Sequence, residues 1–558
     1  MIPLPDRSAQ QPRRPFAFLA PRAQGVTREL GLLVALVAVV ACLVVFVLLP
    51  TAATLLFPSA RDYAVMLLAP RFLKAALNSL FITTLSTVTA TLFGFLFAYT
   101  AARTDVPWRR FFRVIAILPL FSPPFMVAFS YMMMFGKNGL LTFHLLGIRT
   151  NVFGWHGLWL SQTISFFPVA AVVIEGVLRS ISPNVEYAGR NLGATGFRLF
   201  RTVTLPLARP GIAGAALLVS IQVLADFGNP IMIGGSFSVL ATEAWLRVEG
   251  WGDVRGAAVL SSLLLVPSLV LFVAQRVWVG RRTYATLTGR AGIADIPCAG
   301  PVVRASLFVF CFLTSVLVIL VYAALIMGAF VKGWGFDWSP TLRNLREVAA
   351  RSPELIRSLV FAGAAGLAST LIAMAAAYIV SRKEFLLKRF IDVAAILPAA
   401  LPGIFFGIGY SIVFSRPPLD LYGTAAIIVL SLVFWNVSIG YQSGLSAFSQ
   451  ISPSFGEAAS NLGAGSIRIF REIEIPLIRG AFFSSFTVSF IRAATTLSVV
   501  VFLATSSNSV ATFSIMNLVT DGFYGRAAAL TTALLVVSFA ALGAARLAAG
   551  RPVDLFKV

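Results

Sequence analysis

The stretch ISPNVEYAGRNLGATGFRLFRTVTLPLAR, residues 181–209, returns 270 positions later as ISPSFGEAASNLGAGSIRIFREIEIPLIR, residues 451–479. The copies align without a gap and are identical at 14 of 29 positions, among them Ile181/Ile451, Pro183/Pro453, Asn191/Asn461, Gly193/Gly463, Pro206/Pro476 and Arg209/Arg479. Each is a polar island between strongly apolar segments. A proline can open a helix because the N–H it lacks has no partner in the first turn. Pro183 and Pro453 therefore start a helix, Gly193 and Gly463 permit a sharp break, and Pro206 and Pro476 restart a helix into the next apolar run. The product is a compact helix–turn–helix that projects from a membrane, twice.

The rest of the chain supplies that membrane. Of 558 residues, 58% are hydrophobic and only 12% charged, a composition outside the range of ordinary soluble proteins. Three cysteines, Cys42, Cys298 and Cys311, all in or beside apolar runs, offer neither a disulfide framework nor paired metal-ligand spacing. Two histidines, His144 and His156, exclude a histidine-rich metal site within this chain alone. The formal charge of +22 is scattered between apolar segments, which points to membrane topology rather than to nucleic acid.

Apolar runs long enough to cross a bilayer are expected near 30–49, 75–100, 114–135, 157–178, 210–233 and 256–278, and again near 305–331, 358–380, 391–414, 422–445, 480–504 and 527–548. The first is too long for a signal peptide and has no small-residue cleavage site, so it reads as a retained span. The fold class is thus all-α and polytopic, with about twelve transmembrane helices in two tandem halves. Residues 1–28 form a basic tail, residues 29–290 a first half containing the loop 181–209, and residues 291–558 a second half containing the loop 451–479; a basic linker lies around 281–304. With the N-terminus inside, 29 of the 44 Lys and Arg residues fall on the cytoplasmic side and 14 outside, while Arg492 lies within a span. Both copies of the loop are then cytoplasmic, as are both termini. Further kinship appears at an offset of 279, where Asn78–Tyr99 resembles Arg357–Tyr378, Ile117-Leu118-Pro119 matches Ile396-Leu397-Pro398, and Pro123 matches Pro402. Each half holds an even number of spans, so a pseudo-twofold axis along the membrane normal should relate them, with a pathway between.

The pattern E-x-A-x-x-x-L-G-A, followed by a Leu/Ile-Pro pair, resembles the EAA loop of permeases of binding-protein-dependent ABC importers. The second copy is closer, with Glu457, Ala458, Ala459 and Gly463 in register; in the first, Tyr187 stands where Glu457 does and the acid, Glu186, lies one residue earlier. The resemblance covers most of the chain, which looks like two type I permease subunits fused end to end. It implies that the two loops dock two copies of an ATPase subunit, through Glu186, Ala188, Gly193 and Pro206 in one half and Glu457, Ala458, Ala459, Gly463 and Pro476 in the other. It also implies an extracytoplasmic solute-binding protein as partner and a location in a bacterial inner membrane. The chain has no G-x-x-x-x-G-K-[ST], H-E-x-x-H or G-x-S-x-G, so no hydrolytic chemistry is expected of it, and ATP with magnesium belongs on the partner. No cofactor or metal is expected on this chain.

Ionisable residues inside spans are costly and mark function. Asp226, in LADFGNP beside Asn229, and Arg492, in SFIRA, are the pathway candidates. The 270 offset sets Arg492 opposite Gln222, one turn from Asp226, so an Asp226–Arg492 pair across the halves is an expectation, with a purely structural role as its counter-reading. Glu175 should pair locally with Arg179. The run 233–237 and the polar run 505–509 hold equivalent outer positions that suit a binding protein or plain turns. The spacing Gly403-x-x-x-Gly407 fits close helix packing. The stretches Asp226–Pro230 and Thr496–Leu503 resemble fused permeases for ferric iron; phosphonate, sugar phosphate or thiamine are alternative solutes. A twelve-helix ion-coupled secondary transporter, in which the repeated loop is a gate, is the reading from another class, with a membrane scaffold behind it.

Overall fold

A computed structural model of the protein describes residues 26–280 and 300–548, apart from 352, 383 and 453. Most of the basic tail, the linker residues 281–299 with Cys298, and residues 549–558 lie outside the described residues. Among the described residues, nine helices are long and apolar enough to cross a membrane, and two bent helix pairs bring the number to 11 if each is one span. This is the expected polytopic all-α class, with a two-stranded hairpin, Val331–Gly333 and Asp337–Pro340, in the loop that follows the helix Pro301–Ala329.

Four expected spans are not continuous. The runs 114–135 and 391–414 are bent pairs: Arg109–Phe121 with Pro124–Leu145 turns by 106°, and Lys388–Ala399 with Gly403–Val413 by 111°. Pro119, Pro123 and Pro124 crowd the first bend and Pro398 and Pro402 the second, removing N–H donors and pushing the preceding residues out of helical conformation. The runs 210–233 and 480–504 also break. Leu205–Leu224 ends before Asp226 and resumes as Gly228–Ile233, while Ile475–Thr495 gives way at Thr496 to a short turn, Val500–Phe502. The helix Ile475–Thr495, which carries Arg479 and Arg492, is not among the nine.

Each half is assembled on one tight crossing. Pro70–Arg103 packs on Trp155–Ser180 in the first half, and Pro353–Arg382 on Ala425–Ser449 in the second. Lipid is as apolar as a side chain, so close van der Waals approach of small residues has to hold such crossings together. A Cβ added to Gly94 would lie 2.5 Å from the Ala170 Cβ, and one added to Gly440 would lie 2.7 Å from the Ala373 Cβ. The 279 and 270 offsets pair Gly94 with Ala373 and Ala170 with Gly440, so the same contact recurs with glycine and alanine exchanged between helices.

The halves are also interlocked. The N-terminal span, Val26–Leu43 continuing through a π turn (Val44–Leu48) into Leu49–Leu56, packs on the second half. Phe46 stacks on Phe434 at 4.8 Å and on Phe414 at 5.6 Å, its carbonyl accepts from Tyr410 Oη at 2.8 Å, and a Cβ on Gly409 would lie 2.5 Å from the Pro50 carbonyl oxygen. Conversely Pro301–Ala329, the first span of the second half, lies on the first half. There Phe310 meets Phe93 and Phe97, Phe308 meets Trp108 and Phe112, and Tyr322 Oη is hydrogen-bonded to Ser122 Oγ. Such aromatic pairs contribute about 0.5–1.5 kcal/mol each beyond their buried area.

Candidate functional site

The two repeated loops fold alike. Pro183–Asn191 and Ser454–Asn461 are their first helices, and both end in the same backbone motif. Gly193 (φ +83°) and Gly463 (φ +87°) take the left-handed conformation, with their N–H groups donating to Arg190 and Ser460, while the N–H groups of Ala194 and Ala464 reach back to Gly189 and Ala459. A short second helix then leads into a π turn, Phe200–Thr204 or Phe470–Glu474, and on into the return span. Pro206 and Pro476 sit just after that turn. In a regular α-helix each ring would press on the carbonyl four residues back, and the wider turn opens that gap.

An arginine ties each loop to its half. Arg103 is buried and its Nε lies 3.3 Å from Glu186 Oε1, while its Nη2 donates to the carbonyls of Leu178 and Ile181. Thr204 Oγ donates to Glu186 Oε1 at 3.0 Å. In the second half Arg382 Nε donates to Glu474 Oε1 at 3.0 Å and Nη2 to Ile451 O at 3.2 Å, the counterpart of Ile181. The acid has moved. Glu186 aligns with Gly456 and Glu474 with Thr204, so the first loop brings its carboxylate from the opening helix and the second from the π turn. Glu186 is fully buried, which leaves it to position the loop rather than to touch a partner.

The surface of each loop is apolar at its tip. Leu192 is 88% exposed and its counterpart Leu462 is 90% exposed; Val185, Tyr187 and Phe197 in one loop and Phe455 in the other are exposed as well. Ala188, Gly193, Ala458, Gly463 and Pro476 are exposed, and Pro206 and Ala459 are half-buried. Glu457 lies on the Ser454–Asn461 helix, and its side chain lies outside the described residues.

Asp226 and Arg492 do not meet. Asp226, 8% exposed, accepts from Gln162 Nε2 at 3.0 Å, from Asn229 Nδ2 at 2.9 Å and from the Asn229 backbone N–H at 3.3 Å. Gln162 in turn accepts from Ser86 Oγ, and Asn229 Nδ2 also reaches Ser165 Oγ, so a buried polar web holds three elements at the helix break. Hydrogen bonds to a charged acceptor are the strong kind, and they replace the expected counter-ion. Arg492 instead lies over the Trp435 ring, 4.7 Å from its centroid, with an accessible side chain. The expected pair fails because Asp226 is spent on donors of its own half.

Other expectations hold on the local scale. Glu175 pairs with Arg179 at 2.8 Å, joined by Arg113 at 2.9 Å. A Cβ on Gly407 would lie 2.5 Å from Val499 O, which is the close approach that its spacing with Gly403 predicts. The polar run 505–509 is a turn locked by Asn508, whose Oδ1 accepts from the Thr505 N–H at 2.7 Å and whose Nδ2 donates to Thr424 O. Sequence reasoning missed Arg103, Arg382, Glu474 and Gln162. The arginines carry a usable signal, since they continue the 279 register four residues past Tyr99 and Tyr378.

Two membrane halves of one plan, each with a helix–turn–helix loop before its broken fifth span, define a translocation subunit. Residues 90–284 and again 368–551 match the family described as binding-protein-dependent transport system inner membrane component, and the chain belongs to that family. It is 33% identical to the ferric transport system permease protein FbpB of Actinobacillus pleuropneumoniae over 83% of this chain and 69% of that one. It is 31% identical to the putative ferric transport system permease protein FbpB 1 of Haemophilus influenzae over 78% of this chain and 70% of that one. The molybdenum transport system permease protein ModB of Escherichia coli K12 is 30% identical over 36% of this chain and 90% of its own length. The chain is therefore a multi-pass inner-membrane permease that works with a solute-binding protein and an ATPase, and its relatives are transport subunits. Family membership sets aside the ion-coupled reading.

Proposed function

We propose that this chain is the permease of a ferric iron importer, taking the ion from a binding protein outside and releasing it into the cytoplasm. The observation that carries the reading is its likeness to a ferric transport permease across both halves, 475 aligned residues in all. Both termini are cytoplasmic, and two ATPase copies bind, one per loop, because each half carries a complete loop with an exposed apolar tip at Leu192 or Leu462. ATP and magnesium reside on those partners. Closure of the two ATPases pulls on the loops and rocks the units 29–290 and 291–558 so that the path opens outward; hydrolysis resets it. Ala188, Gly193, Pro206, Glu457, Ala458, Ala459, Gly463 and Pro476 shape the docking faces, and Glu186 positions the first. Asp226 and Asn229 hold the broken helix of the pathway, and Arg492 faces it.

Proteoliposomes test this directly. Ferric uptake should need ATP inside and loaded binding protein outside, and uptake driven by an ion gradient alone would overturn the proposal. Docking has its own test in Gly463→Asp combined with Glu457→Lys. A left-handed residue with a side chain costs about 1–3 kcal/mol, so the double variant should fold but lose ATPase co-purification; unchanged co-purification would refute the docking role.

A further inference from the structure

We propose that the first half holds one phospholipid as a structural ligand, its acyl chain in a groove between the helices Pro70–Arg103 and Val254–Gly280 and its phosphate at a basic mouth. The site does not depend on which solute is carried.

The groove measures about 660 Å³. Leu80 and Val88 line one wall, Val266 and Val270 the other, and Ser220 and Leu224 lie on the helix between them. The four wall residues are exposed, so the groove opens sideways, towards the bilayer. Its origin is written in the two offsets. In the second half a Cβ on Gly366 would lie 3.1 Å from the Phe490 backbone nitrogen, so the helices Pro353–Arg382 and Ile475–Thr495 touch there. The offsets of 279 and 270 put Thr87 at the Gly366 position and Ser220 at the Phe490 position. A branched side chain stands where the backbones would meet and a small one replaces the ring, so the first half keeps a space that the second closes.

That space suits hydrocarbon. The hydroxyls of Ser79, Thr84 and Ser220 donate to carbonyls one turn back on their own helices, and those of Thr83 and Thr87, although unbonded, are covered. Water finds few partners in such a space, and an empty groove forfeits the dispersion contacts of its walls. From Phe72 to Val88 the wall runs about 24 Å, past the middle of a hydrocarbon core about 30 Å thick. A further membrane helix of that length, about 10 Å across, would need roughly three times the volume.

The mouth lies at the end farther from the docking loop, where Met66 and Phe72 line the groove. Trp251 is exposed there, with the guanidinium groups of Arg71 and Arg247 over its ring at 5.4 and 4.9 Å, an aromatic suited to the headgroup level. Glu243 and Asp253 neutralise those two arginines. Arg61, Lys74 and Arg255 are exposed and form no ion pair among the described residues, although Asp62 lies in the field of both arginines. Lys74 follows Leu73 of the groove wall, and Arg255 stands about three turns before Val266 on its helix. Three cations facing one carboxylate favour a phosphate.

The test uses the whole transporter, this chain with its ATPase subunits, in phosphatidylcholine nanodiscs doped with phosphatidylglycerol that carries a diazirine in one acyl chain. After irradiation, adducts should fall on residues 80–88 and 266–271 about tenfold more than on their counterparts 359–367 and 536–541. Equal labelling of the two halves overturns the site. Ser220→Phe imports the second-half ring and should bring the first half down to the second-half level; unchanged labelling of the folded variant also overturns it. The exposed pair Lys74→Glu and Arg255→Glu leaves the core untouched and should cut capture of the anionic probe severalfold, whereas undiminished capture overturns the basic mouth. A photoreactive amino acid in place of Val270 should capture phospholipid, and capture of a protein segment instead gives the groove to that segment and sinks the proposal.

Discussion

In the first half Gly94 meets Ala170; in the second Ala373 meets Gly440, so glycine sits on opposite helices of the same crossing. The arginine latch shows the same exchange. Arg103 finds its carboxylate on the loop's opening helix at Glu186, whereas Arg382 finds it on the π turn at Glu474. What both halves keep is the contact: one small pair that lets two backbones approach, and one buried acid facing an arginine. Which helix supplies which partner is free to vary, because packing and charge neutrality depend on the sum at a position and not on its source. The broken fifth span is where the halves part ways. The first carries a closed web around Asp226 there, and the second leaves Arg492 accessible and without a counter-ion among the described residues.

That comparison can be broken most forcefully at the latch. Glu186→Gly should leave Arg103 buried without its carboxylate and cost about 3–5 kcal/mol, read as a lowered Tm in detergent and lost ATPase co-purification. Adding Thr204→Glu rebuilds the second-half arrangement in the first half and should recover most of the loss. A double variant no better than the single one would show that the two latches are not equivalent.

The helix crossing offers a milder version. Gly94→Ala overpacks a contact that has no room and should cost about 1–3 kcal/mol; Ala170→Gly in the same chain should return the Tm towards wild type, since it reproduces the second-half pair. Asp226→Ala strands the amides of Gln162 and Asn229 and should cost about 1–3 kcal/mol, with Asp226→Asn costing less; a larger effect on uptake than on Tm would assign Asp226 a part in transport beyond holding the break. The smallest structural effect is expected at the loop tips. Leu192→Ser and Leu462→Ser remove side chains that touch almost nothing, so stability should stay within about 0.5 kcal/mol, while affinity for the ATPase falls. Comparing the two singles measures how unequally the loops are gripped.

Much of the architecture was legible in the chain itself. The duplicated loop, its Pro–Gly–Pro punctuation and the alternation of apolar runs gave the polytopic all-α class, the register between halves and the turn at Gly193 and Gly463, because these are local features written in residue order. The bends at Pro119–Pro124 and Pro398–Pro402 were also written there, in prolines that forbid a straight helix, although hydropathy alone read through them. The broken fifth spans were half legible, signalled by Gly228 and Pro230 in one half and by nothing comparable in the other.

The tertiary structure decided who meets whom. Nothing local says that the first span of each half lies against the other half, that Glu186 turns inward to Arg103, or that Asp226 is taken by Gln162 and Asn229 before Arg492 can reach it. Those outcomes are set by competition among partners far apart in the chain, at membrane depth where an unpaired charge must accept the nearest donor. Sequence fixes the register of each helix; the assembled bundle chooses its neighbours.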